Sequence, residues 1–213
     1  MSGQLRTYNY SFFKLNIIII HQGIWGGIKN DMNTLIVYSS VTGNTRLVAE
    51  GIAEALPAAT KIYPVHKAPP PIGYDLIFLG FWVYRGKPDP RMLRYMQRIH
   101  NQKVALFGTL AAWPDSPHAQ AALRHARHAL GSTVILGEFL CLGKLSSKRF
   151  NECMNPAYAK ASHPMTPERK TRLLEGQTHP DDTDIIRATE YFCRIAGQLK
   201  IKGKPDETYN NIY

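Results

Sequence analysis

The segment that decides the fold is residues 38–45, which read Tyr38-Ser39-Ser40-Val41-Thr42-Gly43-Asn44-Thr45. It follows the apolar run 34–38, which is typical of a buried strand, and it leads into the amphipathic segment 45–56, which is typical of a helix. The first turn of such a helix has backbone N–H groups without partners and carries the positive end of the helix dipole. The segment therefore predicts an anion-binding loop at a strand-to-helix junction.

The residue types in this loop suit a phosphate group. Ser40, Thr42, Asn44 and Thr45 supply hydroxyl and amide donors, and Gly43 lets the backbone close around the anion because it has no Cβ. The loop contains no Lys or Arg, and it matches neither the GxxxxGK[ST] pattern nor the GxGxxG pattern. We therefore expect dipoles to hold the phosphate, with a ligand-free Ser/Thr helix cap as the alternative.

Downstream of Met32, apolar runs alternate with amphipathic stretches, which predicts a parallel sheet covered by helices on both faces. The expected strands are 34–38, 61–65, 75–80, 104–107 and a fifth that opens at Thr133. The expected helices are 45–56, one started by Asp89 and Pro90, 117–130, a short one from Thr166 to Gly176, and a last one from Asp181 or Asp182.

The chain divides into three parts in this interpretation. Residues 1–31 have no clear period and are an N-terminal extension or a mis-called start, since Met32 directly precedes the first strand. The domain spans 32–202, and 203–213 form a C-terminal tail. Within the domain, 141–180 is longer than an ordinary connection and is predicted to be a functional insertion.

Composition and charge exclude some classes of protein and leave others open. No apolar run reaches the roughly 18 residues of a membrane-spanning helix. The three cysteines, Cys141, Cys153 and Cys193, form no CxxC pair and no zinc spacing, which favours a reducing cytoplasm. The net charge of +10 suits nucleic acid, an anionic membrane surface or an acidic protein partner.

The loop resembles a known motif. Ser40-Val41-Thr42-Gly43-Asn44-Thr45 is similar to the [ST]-x-T-G-x-T phosphate loop of the flavodoxin family, and the order of elements from Met32 to about Leu199 matches that family. The resemblance implies a doubly wound, flavodoxin-like α/β fold with a five-stranded parallel sheet of order 2-1-3-4-5 and helices on both faces. It also implies FMN as the cofactor, bound at the switch point between strands 1 and 3. Each of the six residues Ser40, Val41, Thr42, Gly43, Asn44 and Thr45 then contacts FMN.

The same resemblance implies that two further segments hold the flavin ring. After strand 3, Trp82, Val83 and Tyr84 are expected at the isoalloxazine, where an aromatic face disfavours the electron-rich reduced ring and helps to set the potential. The alternative for Phe81 or Trp82 is that the side chain completes the core. After strand 4, backbone groups of Thr109, Leu110 and Ala111 are expected at the pyrimidine edge, and Trp113 at the rim.

A narrower resemblance concerns the partner of the protein. The segments Phe107-Gly108-Thr109 and 163–169 resemble a bacterial flavodoxin-like subgroup, some members of which lie beside bilirubin-reducing enzymes, which implies an accessory electron donor. Flavodoxins are typically acidic, so the charge of +10 disfavours their usual basic partners and favours a redox partner with an acidic docking face. No acid–base residue is demanded, and we predict no catalytic residue.

Two rival functions remain open at this point. The first is an FMN-dependent oxidoreductase acting on a bound quinone or tetrapyrrole, with a pocket formed by 141–180. The second is a flavin-free module that uses its basic face on nucleic acid or on the membrane periphery. Nucleic acid is disfavoured because no aromatic residues interleave with the basic cluster Arg124, Arg127, Lys144, Lys148 and Arg149.

Three histidines share one predicted helix, and they do not indicate a metal site. His125 and His128 are spaced i, i+3, and His118 lies one to two turns earlier. No Glu or Cys completes a ligand set nearby in sequence, so we predict no metal site and expect surface histidines.

Overall fold

A computed structural model describes Ile19 and residues 32–155 and 164–202. The expected N-terminal extension, apart from Ile19, and the expected C-terminal tail lie outside the described residues. Residues 156–163 of the predicted insertion lie outside them as well.

The centre of the fold is a parallel sheet with one short antiparallel addition. Its strands are β1 (Thr34–Tyr38), β2 (Lys61–Pro64), β3 (Leu76–Tyr84), β4 (Lys87–Pro88), β5 (Lys103–Leu110) and β6 (Ile135–Leu142). The parallel order is β2-β1-β3-β5-β6, and the two-residue β4 pairs antiparallel with the end of β3. Without β4, this order is the predicted 2-1-3-4-5, which confirms the flavodoxin-like topology.

The described part of the chain contains six α-helices, of which the first three and the last pack against the sheet. They are α1 (Asn44–Ala55), α2 (Pro90–Met96), α3 (Pro117–Leu130), α4 (Ser147–Met154), α5 (Pro167–Glu175) and α6 (Asp182–Lys202). Predicted start signals are confirmed at α2 and α5, where Asp89 and Thr166 side chains accept hydrogen bonds from first-turn N–H groups and Pro occupies the first position. The helix α4 was not predicted from the sequence.

Alternation along the strands divides the core into two layers. In β1, Ile36 faces α1 and α6, whereas Leu35 and Val37 face α2 and α3. Phe192 of α6 is fully buried in the first layer, with its ring centroid 5.5 Å from that of Phe78. Burial on both faces explains why these strands read as continuous apolar runs.

Three strands extend further than the sequence predicted. The third strand was expected to end at Gly80 and the fourth at Phe107, but the ladder continues through the pairs Phe81–Gly108 and Trp82–Thr109. The last strand begins at Ile135 rather than Thr133 and runs to Leu142, so the connection to α6 begins at Gly143. Segments expected to be loops after strands 3 and 4 are therefore partly strand.

The contact between α1 and α6 gives a test of the packing. A Cβ at Gly51 would lie 2.2 Å from Cγ2 of the buried Ile185, so Gly51→Ala is expected to destabilise the fold by about 1–3 kcal/mol despite the better helix propensity of Ala. The matched control is Gly176→Ala, where φ is −57° and the nearest atom to the new Cβ is 4.0 Å away. Urea unfolding measures both, and equal stability of the two variants would contradict the packing.

Candidate functional site

A cleft of about 510 Å³ opens at the carboxyl edge of the sheet, beside the ends of β1, β3, β5 and β6. Its lining includes most of the predicted site residues, namely Val41, Thr42, Asn44, Trp82, Val83, Tyr84, Thr109, Leu110 and Ala111. The remaining lining residues are Arg85, Gly143, Lys144, Leu145, Ser146 and Arg149. The structure thus brings the three predicted segments together in one place.

The loop after β1 presents an uncapped helix terminus. Gly43 adopts a left-handed conformation with φ of 92°, which a residue with a side chain rarely adopts, and α1 begins at the next residue. No side chain caps the first turn of α1. The Ser40 hydroxyl oxygen is shielded from solvent and has no hydrogen-bond partner among the described residues. A phosphate group at this terminus would satisfy both kinds of donor, so the residues present fit it.

Two predicted phosphate donors have partners within the protein. The hydroxyl oxygens of Thr45 and Thr109 lie 2.9 Å apart, and both side chains are buried. The Asn44 amide donates a 2.8 Å hydrogen bond to the Lys144 carbonyl. These contacts fasten the loop after β1 to β5 and to the chain that follows β6.

The aromatic side of the cleft is formed by the end of β3. Tyr84 is 41% exposed, and its ring centroid lies 5.3 Å from that of the half-buried Trp82 in an edge-to-face arrangement. The Arg85 guanidinium lies 5.2 Å from the Tyr84 ring centroid. Phe81 is fully buried, which is the core role weighed for it from the sequence. Tyr84 therefore offers a ring that a flat aromatic ligand can contact.

Asp89 connects the loop after β1 with the aromatic end of β3. Its Oδ1 atom accepts hydrogen bonds from the Ser39 hydroxyl at 2.9 Å and from the N–H groups of Arg91 and Met92. Its backbone N–H donates to the Trp82 carbonyl. Asp89 is 1% exposed, so this carboxylate is a buried link between two walls of the cleft.

One wall of the cleft was predicted only as part of the segment 141–180, and none of its residues was predicted as a site residue. Gly143 donates its N–H to the Leu110 carbonyl, and a Cβ at this position would lie 2.9 Å from the Asn44 amide nitrogen. Lys144 and Arg149 follow on the same wall. The missed signal was the Gly-Lys pair directly after the last strand, since carboxyl ends of parallel strands meet at one edge.

The cleft is positively charged. Arg85, Lys144 and Arg149 line it, and its lining contains no acidic residue. Arg149 also donates to the Glu152 carboxylate at 3.0 Å, one turn further along α4. The cleft therefore suits a ligand or partner that carries negative charge.

Other predicted site residues and the histidines lie apart from the lining. Trp113 is half-buried, and its carbonyl accepts a 2.6 Å hydrogen bond from Ser116, the N-cap of α3. Its position at the rim of a bound flavin stays a prediction. His125 and His128 are exposed on α3, as expected.

Comparisons with known proteins match this chain to one family by sequence. A sequence profile described as the flavodoxin domain matches residues 35–193. The flavodoxin-like domain-containing protein BilS of Clostridioides difficile is 28% identical over 165 residues, covering 75% of this chain and 94% of the relative. An uncharacterized protein of Methanocaldococcus jannaschii is 36% identical over 172 residues, covering 77% of this chain and 98% of that protein. A solved WrbA-like flavodoxin from Agrobacterium tumefaciens is 16% identical with a TM-score of 0.49, covering 82% of this chain and all of the other.

The profile spans most of the chain, so the protein belongs to the flavodoxin family. The resemblance expected from the loop at 40–45 is confirmed, and the BilS relatives extend it to the bacterial flavodoxin-like subgroup. The family supports FMN as the cofactor that the cleft would hold. Within the described residues, no helix is long and apolar enough to cross a membrane.

The buried Asp89–Ser39 contact can be tested by a double-mutant cycle. Asp89→Ala is expected to cost about 2–4 kcal/mol, because it removes the α2 N-cap and leaves the Ser39 hydroxyl buried without its acceptor. Ser39→Ala is expected to cost about 1 kcal/mol, and much less in the Asp89→Ala background. Urea unfolding measures all four proteins, and strictly additive losses would show that the two side chains do not interact.

The cysteines give a second test of the site. Cys141 pairs with Thr109 across β5 and β6 and is buried, and burial, followed by the charges of Asp184 and Asp181, raises the pKa of its thiol well above the usual range. Because the thiolate is the reactive form, Cys141 is expected to stay unmodified by a thiol reagent at pH 8 while the half-buried Cys153 reacts. Peptide mass spectrometry of the folded protein distinguishes them, and early labelling of Cys141 would contradict its placement.

Proposed function

We propose that the cleft binds FMN noncovalently and that the protein passes electrons between FMN and a redox partner protein. The observation that carries this proposal is the meeting, in one cleft, of the uncapped α1 terminus and the exposed Tyr84 ring, with the shielded Ser40 hydroxyl directly before the lining residue Val41. A phosphate-bearing aromatic ligand matches this set of groups. The flavodoxin family membership supports FMN as that ligand.

The loop at 40–45 would hold the phosphate. The first-turn N–H groups of α1 and the Ser40 hydroxyl provide donors, and the left-handed Gly43 shapes the turn. Lys144 adds a positive charge that the loop itself lacks, since its carbonyl is bonded to Asn44 and its side chain lines the cleft. The phosphate would thus be bound by dipoles with one cation nearby.

Tyr84 and Trp82 would contact the isoalloxazine, with backbone groups of Thr109, Leu110 and Ala111 at its polar edge. Bound FMN would supply the one- and two-electron redox chemistry. The chain contributes binding, orientation and electrostatics: the aromatic rings oppose added electron density, whereas Arg85, Lys144 and Arg149 favour added negative charge. The balance of these groups would set the potential.

The charge around the cleft supports a partner with an acidic docking face. Three cations and no acidic residue line the cleft, and the whole chain carries +10. Opposite charges at the docking faces speed encounter and fix orientation. The subgroup resemblance supports an accessory role, as the electron donor of a reductase, and the cysteine pattern supports the cytoplasm as its compartment.

A second candidate is an FMN-dependent oxidoreductase that reduces a quinone or a tetrapyrrole. The wall formed by residues 143–149 favours it, because this wall gives the cleft a third side on which a bound substrate could rest. Steady-state oxidation of NAD(P)H that depends on an added quinone or tetrapyrrole, with FMN saturating, would support this candidate over the carrier. Reduction only through a reductase protein would support the carrier.

The proposal is tested at Ser40 with two flavins. Ser40→Ala is expected to weaken FMN binding about ten- to hundredfold, because a hydroxyl donor to a charged phosphate is lost, and to leave riboflavin binding unchanged. Without flavin, the variant is expected to be as stable as the wild type or more stable, since an unpaired buried hydroxyl is removed. Flavin fluorescence titrations give the affinities, and urea unfolding gives the stability.

The matched control is Ser132→Ala, an exposed serine that precedes β6 at the opposite edge of the sheet. It is expected to bind both flavins like the wild type. Equal weakening of FMN and riboflavin by Ser40→Ala, or no weakening of either, would contradict a phosphate at this loop.

A further inference from the structure

A second cleft, of about 300 Å³, lies on the α2 side of the sheet and shares no residue with the cleft at 40–45. It is formed by the 3-10 turn Val65–Lys67, which follows β2, and by α2 with the turn after it. Its lining consists of Val65, His66, Arg91, Arg94, Tyr95 and Arg98.

Three arginines dominate this cleft. Arg91, Arg94 and Arg98 are spaced i, i+3 and i+7, so they lie on one side of α2 and its following turn, and all three are exposed. Among the described residues, the ion pairs join other side chains, and none of these guanidinium groups has a carboxylate within 4 Å. The α2 segment 90–96 contains no acidic residue. No ion pair within the described part of the chain therefore compensates this positive charge.

The nearest acidic side chain on this element, Asp89, forms no ion pair with these arginines. It is 1% exposed, its Oδ1 atom accepts from the Ser39 hydroxyl and from backbone N–H groups, and its Oδ2 atom has no hydrogen-bond partner among the described residues. Like charges three or four residues apart destabilise a helix. An anion bound between the arginines would relieve this repulsion.

The floor of the cleft is held in place by Tyr95. This ring is 3% exposed, and its hydroxyl donates a 2.9 Å hydrogen bond to the Pro69 carbonyl. The Arg98 guanidinium lies 5.5 Å from the Tyr95 ring centroid, which orients the cation toward the cleft edge. His66 stands across from the helix on the 3-10 turn and adds a further donor.

We propose that this cleft binds a small soluble polyanion that carries two or more linked phosphate groups. Guanidinium groups form paired hydrogen bonds with phosphate oxygens, and this geometry is specific to Arg. Three guanidinium groups line one cleft, and a ligand with several linked phosphate groups offers each of them its own pair of oxygens. The volume of about 300 Å³ is at the lower end of small-molecule sites.

The test is calorimetric titration with inorganic triphosphate, and with inorganic phosphate for comparison, in the presence and in the absence of saturating FMN. The wild type is expected to bind triphosphate at least tenfold more tightly than phosphate, with FMN present or absent. Arg94→Gln combined with Arg98→Gln is expected to lose at least tenfold in triphosphate affinity. The control, Arg124→Gln combined with Arg187→Gln, removes the same charge from exposed positions on α3 and α6 and is expected to bind like the wild type.

Several outcomes would overturn the proposal. These are no saturable binding of triphosphate by the wild type, equal losses in the two double variants, and binding that FMN abolishes, which would place the anion at the loop 40–45. Retention of the wild type on phosphatidylglycerol vesicles without saturable triphosphate binding would assign the arginines to a membrane surface. If the Arg94/Arg98 variant fails to fold, Arg91→Gln replaces it, since the Arg91 side chain is exposed. Failure of FMN binding alone leaves this test intact.

Discussion

Parallel pairing of β1, β3, β5 and β6 is the constraint on which the candidate site depends. The register places Tyr38 beside Gly80, Gly80 beside Phe107 and Phe107 beside Phe139, so the chain leaves the sheet at one edge after four different strands. Residues far apart in sequence must then share a cleft. The apolar faces of β1, β3 and β5 that fix this register are fully buried in both layers, and a slip by one residue would expose them.

Polar contacts between the walls complete the geometry that the sheet begins. The Ser39–Asp89 hydrogen bond joins the first loop to the end of β3, and the Thr45–Thr109 pair joins it to β5. The Asn44–Lys144 contact reaches the segment after β6. Each contact is made by a residue adjacent to the cleft, so packing of the protein and readiness for a ligand rest on the same hydrogen bonds. Ser40 lies between these residues in sequence, and its shielded hydroxyl has no hydrogen-bond partner among the described residues.

The features that could be predicted from the sequence are those that depend on neighbouring residues in the chain. The loop at 40–45, the caps at Asp89 and Thr166, and the apolar runs are local signals, and the structure has the predicted elements at each. Strand ends were wrong because β3 and β5 continue by pairing with neighbouring strands, β3 with β4 and β5, and β5 with β3 and β6, which no local pattern reveals. The individual residues of the wall at 143–149 were not predicted for the same reason: their relevance follows from where β6 ends. The partners of Asn44 and Thr45 likewise depend on tertiary contacts.

An absorption titration of the wild-type protein with FMN, followed by determination of the midpoint potentials of bound FMN, tests whether the cleft is a flavin site. We expect saturation at one FMN per chain, flavin bands perturbed by contact with Tyr84 and Trp82, and potentials shifted from those of free FMN. An unperturbed FMN spectrum with no saturation would contradict it, and the cleft at the carboxyl edge would then have to serve another ligand.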